Sequence, residues 1–157
     1  MPTPAEERLL AVKAALVDRW APGGVPIGEL KAVLDHEPLK APKLPLLTMQ
    51  TAGFQRAKLE RPEVRSPIQD PIGGRRWVWE LWVRVWVGFK NDVAAAQRTL
   101  DVLIPQVVLA LEEDRSLGGV SVDAALEAGR AAVVRPKDGN PVLMLTCNCA
   151  IETEETI

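Results

Sequence analysis

Two cysteines and one histidine are the residues of this chain that thiol nucleophiles or zinc sites would most readily use. Cys147 and Cys149 lie two apart in a segment that alternates like a strand, so they point to one face and do not easily meet as a disulfide. A metal site would need a second ligand pair, and His36 lies far away in the sequence. The cysteines are therefore predicted to be small core residues, and His36 a loop or helix-end residue without a nucleophile beside it.

Phosphate-binding, dinucleotide-binding, zinc-protease and serine-hydrolase motifs are all missing from the sequence. Basic and aromatic residues interleave around residues 75–86, as they do in nucleic-acid platforms. Alternation nevertheless puts only Trp82, Arg84 and Trp86 on one face, together with Glu80. The sequence thus predicts no catalytic, cofactor-binding or metal-binding residue and no enzyme. A nucleic-acid-binding module and an enzyme with an unrecognised site remain more remote alternatives.

Composition predicts one globular domain over residues 1–157. The 157 residues are 47% hydrophobic and 25% charged, and the net charge of -2 excludes a strongly basic nucleic-acid binder. The longest uninterrupted apolar run, residues 107–111, is far shorter than the roughly 20 residues of a membrane span. The first residues have neither a basic nor an apolar leader segment, so we expect a soluble protein made in a cytoplasm.

Charge is distributed unevenly along the chain. Residues 54–90 carry 8 basic and 4 acidic side chains, whereas residues 91–157 carry 5 basic and 11 acidic ones. Such segments could form oppositely charged surfaces that dock copies or partners in a fixed orientation. Alternatively, the segments interleave in space and the asymmetry vanishes on folding.

The first half of the chain predicts one helix, one short strand and an arm. Apolar residues recur at helical spacing over residues 5–20, and residues 28–35 suggest a short second helical turn. Residues 44–49 are typical of a strand. Prolines, glycines and basic side chains characterise residues 53–76, which we expect to be an extended Pro-rich arm, or a loose hairpin, that becomes ordered on a partner. A floppy insertion is the alternative. Its candidate interface residues are Arg61, Arg65, Arg75 and Arg76.

The second half predicts a long strand over residues 77–88 with a wholly apolar face. Asn91 or Asp92 then begins a helix that Pro105 should kink or split, and strands follow at 120–126, 130–134 and 142–152. The predicted fold class is α+β, a mainly antiparallel sheet with helices packed on one face.

The second face of the long strand supplies the remaining interface candidates. Trp82 and Trp86 flank Arg84 there, and two exposed tryptophans would form an apolar patch that soluble monomers usually avoid. We expect another subunit or the arm to cover them, with Trp86 as the better anchor. Cover by the chain's own loops is the alternative. At the helix exit, Glu112, Glu113 and Asp114 form either a solvated face or an interaction surface.

A family resemblance rests on four pieces of this sequence. They are the Pro-containing strand KLPLL at residues 43–47, the strand LWVRVWV at 81–87, the helix after Asn91 and Asp92, and the exit LEEDRSLGG at 111–119. Over roughly residues 40–154 the chain resembles tail terminator proteins of long-tailed bacteriophages.

The resemblance implies a structural virion protein that forms a ring, usually of six copies, on the head-proximal end of the tail tube. There it would stop tube polymerisation and present the surface for head–tail joining. Its partners would be further copies of itself, the tail tube protein and the head–tail connector or neck proteins, with DNA only as cargo through the lumen. No cofactor, membrane or catalytic residue is implied. Another neck, head-completion or tail-tube-like virion protein is the nearest alternative.

Overall fold

Two helices and five strands follow one another in a computed structural model of the chain, which describes residues 4–20, 30–38, 44–58, 74–135 and 139–156. In chain order they are α1 (Pro4–Trp20), β1 (Ala32–Leu34), β2 (Leu46–Lys58), β3 (Gly74–Gly88), α2 (Val93–Glu112), β4 (Asp123–Val134) and β5 (Val142–Thr156). The strands form one sheet in the order β1-β2-β3-β5-β4. Only the β1–β2 pair is parallel, so the predicted α+β class with a mainly antiparallel sheet is confirmed.

One face of the sheet, here called the core face, packs under both helices. Alternation along β3 and β5 sends every second side chain to this face, where apolar residues of the strands meet the apolar stripes of α1 and α2. The predicted apolar face of β3 is buried or half-buried, and both cysteines of β5 contribute to the core, as predicted. The strand residues of this core include Leu47, Met49, Trp79, Leu81, Val83, Val85, Leu143, Leu145, Cys149 and Ile151.

The end of α1 is attached to α2 by polar contacts as well as packing. Trp20 is fully buried, and its indole N–H donates to the Val107 carbonyl oxygen at 3.1 Å. Arg19 donates from Nε to the Ala110 carbonyl oxygen at 2.6 Å and pairs with Glu113 at 3.0 Å. Because a buried indole needs an acceptor, these contacts fix the helix against its partner.

Helix α2 begins at the predicted cap and is not split. The Asp92 carboxylate accepts the Ala95 N–H at 3.1 Å, and the helix continues through Pro105 to Glu112. A proline ring removes one helical hydrogen bond, and Pro105 lies on the exposed side of α2. By length and composition alone α2 could cross a membrane, a property that core helices of soluble proteins share.

Two sequence predictions of local structure are wrong. The predicted helical turn at 28–35 contains strand β1, because residues 32–34 pair in parallel with residues 46–48. The predicted strands at 120–126 and 130–134 are one strand, β4, interrupted by a bulge between Leu126 and Gly129. A bulge adds one residue to a strand without ending it. The alternation of side chains is interrupted at the bulge, and the sequence pattern therefore resembles two strands although the strand is continuous.

The predicted arm at 53–76 begins and ends inside the sheet. Strand β2 extends to Lys58 and β3 begins at Gly74, with Lys58 opposite Arg75 in the antiparallel register. The centre of the predicted arm, residues 59–73, lies outside the described residues, as do Arg61 and Arg65.

Candidate interface

The face of the sheet opposite the helices, here called the second face, carries Trp82, Arg84 and Trp86. Trp82 is 40% exposed, and the Arg84 guanidinium lies 5.0 Å from the centre of its ring. A guanidinium over an indole face is a cation–π contact, which stiffens both side chains. Trp82 therefore presents a positioned aromatic surface to solvent.

Arg84 is tied to three neighbouring elements of its own chain. Its guanidinium donates to the Gln50 side-chain oxygen at 3.2 Å and to the Thr146 hydroxyl at 3.3 Å, and it pairs with the Glu37 carboxylate. Gln50 and Thr146 belong to the strands on either side of β3, and Glu37 follows β1. Arg84 thus holds the segment after β1 against the second face.

Trp86 is covered by its own chain to a greater degree than Trp82. Its indole N–H donates to the Thr48 hydroxyl at 2.9 Å, and Thr48 is 0% exposed. Leu46, opposite Trp86 in the register, is also buried. A Cβ on Gly88 would lie 2.9 Å from Leu44 Cδ1, so this end of β3 accommodates the chain that enters β2. Of the two predicted anchors, Trp82 presents the more exposed surface.

A groove of about 460 Å³ lies beside Trp82 on the second face. Its floor is formed by β3 and β5, and its wall by the bulged part of β4. Asn148, opposite Trp82 in the register, donates to the Glu127 carboxylate at 3.2 Å, and Arg130 is exposed. The groove therefore combines an aromatic surface with polar and cationic groups. Its lining consists of Trp82, Arg84, Ala128, Gly129, Arg130, Thr146, Cys147 and Asn148.

Two of the three acidic residues at the end of α2 make contacts within their own chain. Asp114 accepts from the Ser116 hydroxyl at 2.7 Å and from the Gly118 N–H at 2.8 Å. These hydrogen bonds, that of Ser116 first, lower the pKa of Asp114 below its ordinary value. Glu113 pairs with Arg19, whereas Glu112 is exposed at the end of the helix. The three predicted interface acids thus divide into two with intramolecular partners and one directed to solvent.

The basic and acidic segments of the sequence meet within the sheet. Arg75 and Arg76 of β3 lie opposite Glu155 and Glu154 of β5 in the antiparallel register. Arg76 Nη1 also lies 3.8 Å from a carboxylate oxygen of Glu152. Part of the charge asymmetry therefore cancels on folding, because oppositely charged stretches occupy neighbouring strands.

Two free strand edges are features that sequence reasoning missed. Strand β4 ends the sheet on one side, and its residues 127–133 are all exposed. On the other side, β1 pairs only with residues 46–48, and in the described parts of the chain no strand pairs with the outer edge of β2 beyond them. Unpaired backbone groups on such an edge are a template for another strand. A sequence signal existed for β4, since Arg130 is the only charged residue in 128–134.

An exposed aromatic residue lies at the free edge of β2. Phe54 is 62% exposed, and its ring centre lies 5.6 Å from that of Trp77 and 5.9 Å from that of Trp79. Trp77 and Trp79 stack on each other at 5.4 Å, and the Trp79 indole N–H donates to the Thr153 hydroxyl. The cluster extends the core face beyond the helices and leaves Phe54 uncovered.

The thiols are held in their protonated form, and the histidine is exposed next to a carboxylate. Burial raises the pKa of Cys147, and it raises the pKa of Cys149 to about 12. The imidazole of exposed His36 lies 2.8 Å from the Asp35 carboxylate. Across the part of the chain that the structure describes, no three histidine, cysteine, aspartate or glutamate residues are grouped to hold a metal ion.

No protein-family model matches this chain, and no curated protein matches it in sequence.

Proposed function

We propose that this chain is a ring-forming structural protein of a bacteriophage virion, of the tail terminator type. Its ring, of six copies in the resembling family, would cap the head-proximal end of the tail tube and stop tube polymerisation. The opposite side of the ring would meet the head–tail connector or neck proteins, and DNA would pass through the lumen. The proposal rests on the sequence resemblance together with a surface suited to head-to-tail self-association.

The observation that carries the ring is the pair of free edges on opposite sides of one sheet. Strand β4 runs antiparallel to β2, because three antiparallel pairings separate them in the sheet. The β4 edge of one copy can therefore meet the β2 edge of the next and continue the antiparallel pattern. Such a contact joins two different surfaces, so it repeats head to tail and closes into a ring when the rotation permits.

Strand β4 lacks two of the features that usually keep an edge from pairing, although it has a bulge between Leu126 and Gly129. Its exposed residues 127–133 contain no proline, and the side chains beyond Glu127 are small or apolar except for Arg130. Protected edges carry prolines, charges or bulges, or are very short, and β4 is neither short nor interrupted by proline. A twelve-residue edge of this kind fits a strand that is covered in the assembled state.

Assembly on tail tubes tests the proposal. We expect native mass spectrometry of the purified chain with tail tubes to show rings, and electron microscopy to place them at one end of each tube. Monomers in both the presence and the absence of tubes, with no tube binding, would contradict the proposal. Long filaments of the chain alone would instead indicate a tube-like subunit.

A charged edge provides a matched pair of variants for the same assay. Ala132→Lys adds a charge to the exposed part of β4, whereas Ala94→Lys makes the same change on the exposed side of α2. If β4 is the ring contact, Ala132→Lys reduces the ring population at least tenfold and Ala94→Lys leaves it unchanged. Equal effects of the two variants would count against an edge-to-edge ring.

A further inference from the structure

Both free edges expose apolar side chains on the same face of the sheet. Phe54 of β2 lies opposite Trp79 on the core face. Ala131 and Val133 of β4 lie opposite Leu145 and Leu143, which also belong to the core face. Phe54 is 62% exposed and Val133 is 43% exposed, so each edge leaves apolar surface uncovered beyond the helices.

Each of these exposures results from a β-bulge. In β2 the register shifts between Thr51 and Gly53, and the extra residue moves Phe54 from the second face to the core face. In β4 the register shifts between Leu126 and Gly129, and the extra residue moves Ala131 and Val133 from the second face to the core face. Without the bulges, strict alternation would direct all three to the second face.

The two free edges also match in length and direction. Residues 127–133 of β4 are exposed, and residues 52–58 of β2 extend beyond β1 and beyond the segment after it, so each stretch has seven residues. When the two stretches pair side by side and antiparallel over their full seven residues, Phe54 lies opposite Ala131. Residues directly opposite each other share a face, and in this register both are core-face residues.

We propose that Phe54 of one copy packs on Ala131 and Val133 of the next copy, in an antiparallel β2–β4 pairing between subunits. The inference rests on the proposed ring and specifies its register. Diagonal neighbours in a sheet are within reach of an aromatic side chain, so Phe54 also extends towards Val133 on one side and Gly129 on the other. A Cβ on Gly129 would lie 2.8 Å from Cys147 Sγ. The close approach of Cys147 therefore favours glycine there, and the absence of a side chain at Gly129 leaves no Cβ to obstruct the Phe54 ring.

Pairing at this position brings the two Cβ atoms to about 4.5–5.5 Å, close enough for a disulfide after small adjustments. The experiment uses the double variant Phe54→Cys/Ala131→Cys, assembled on tail tubes and oxidised. We expect a ladder of covalent oligomers on non-reducing gels, with the longest species matching the subunit number of the ring. All variants carry Cys147→Ala, because this native thiol lies next to Gly129 at the proposed contact. The two single variants should then run as monomers on non-reducing gels, because a head-to-tail contact never brings identical residues together.

The matched control is Phe54→Cys/Ala132→Cys, which moves one cysteine to the adjacent residue on the second face. We expect its cross-linking yield to be at least tenfold lower. Rings in native mass spectra without a ladder, or equal yields for the two double variants, would overturn the proposed register and leave the ring intact. Absence of any ring for the unmodified chain would overturn both the ring and the register.

A second experiment tests the same contact without an added cysteine. Phe54→Ser removes an exposed side chain, so the isolated subunit should keep its melting temperature within about 3 °C, as surface substitutions usually do. Assembly on tubes should fall at least tenfold. Unchanged assembly of Phe54→Ser would contradict the packing of Phe54 on the next copy.

Discussion

Trp79 and Trp82 lie three residues apart in β3 and on opposite faces of the sheet. Trp79 is 8% exposed, stacks on Trp77 and donates its indole N–H to Thr153. Trp82 is 40% exposed and contacts the Arg84 guanidinium beside an open groove. Both residues have strand neighbours on each side, so the difference comes from what lies above each face.

Two helices cover the core face, whereas on the second face the described residues show one tertiary contact of this kind, at one end. There, the segment after β1 reaches Arg84 through Glu37, and Leu46 and Thr48 are buried in the neighbouring part of β2. Trp86 lies at that covered end and Trp82 lies at its margin. The comparison teaches that one strand can contribute to folding with one face and offer an interaction surface with the other.

Trp79→Ser is the substitution that should destabilise the isolated subunit most. Removing a buried indole from a core costs about 3–5 kcal/mol, and each kcal/mol lowers the melting temperature by about 2–4 °C in a chain of this size. We expect the melting temperature to fall by roughly 10 °C or more. Trp82→Ser is the matched change on the second face, and it should lower the melting temperature by less than about 4 °C, because Trp82 is 40% exposed.

Thermal unfolding followed by circular dichroism measures both variants. Similar losses of melting temperature for Trp79→Ser and Trp82→Ser would mean that both faces are internal core. The assignment of Trp82 to an interaction surface would then be wrong.

Trp86→Phe should have an intermediate effect, because it removes the donor that satisfies Thr48. Thr48 is fully buried, and a buried hydroxyl that loses its partner costs about 1–3 kcal/mol. Adding Thr48→Val to Trp86→Phe removes both polar groups, so the double variant should recover much of that loss. Chemical denaturation of Trp86→Phe, Thr48→Val and the double variant measures the three free energies of unfolding. If the loss in the double variant equals the sum of the two single losses, the hydrogen bond does not hold the covered end together.

Asp114→Ala should change the melting temperature least of these substitutions, and the size of the change should depend on pH. The folded-state pKa of Asp114 lies below the ordinary value of 3.8, because the ionised carboxylate accepts from Ser116 and Gly118. A lowered folded-state pKa stabilises the fold above the unfolded-state pKa, and the gain is lost as the pH falls through the folded-state pKa. The difference in melting temperature between the unmodified chain and Asp114→Ala should therefore be constant from pH 7 to pH 5 and shrink below pH 4.

Asp114→Asn is the control, since it retains an acceptor without the charge. A difference that grows as the medium becomes more acidic would contradict the structural role of Asp114 at the helix exit.

Alternation and helical spacing predict the parts of this fold that bury one clear face. Strands β3 and β5 follow from strict alternation, and α1 follows from apolar residues at helical spacing between Pro4 and Trp20. Strand β1 does not follow, because its three residues are held by pairing with β2 rather than by their own pattern. The bulges in β2 and β4 shift the alternation, so no simple periodicity places Phe54 or Val133 on the core face.

The candidate interface could be predicted only in part, because much of it depends on contacts between residues far apart in the sequence. Alternation places Trp82, Arg84 and Trp86 on one face, as observed. The contacts of Arg84 with Glu37 and of Trp86 with Thr48 join residues that lie far apart in the sequence, so alternation alone does not predict them. Predicting the free edges requires the strand order, which long-range pairing sets. The low charge of residues 128–134 is a local signal for β4, but by itself it does not place that strand at an edge.

Amide hydrogen exchange of the free and the tube-assembled subunit tests the central claim, that copies associate through the two free strand edges. The measurement follows peptides covering residues 127–133 and 52–58, with the centre of β3 as an internal reference that is slow in both states. The account predicts that exchange in both stretches slows at least tenfold on assembly, and to the same extent. Assembled rings in which both stretches exchange as fast as in the free subunit would contradict it.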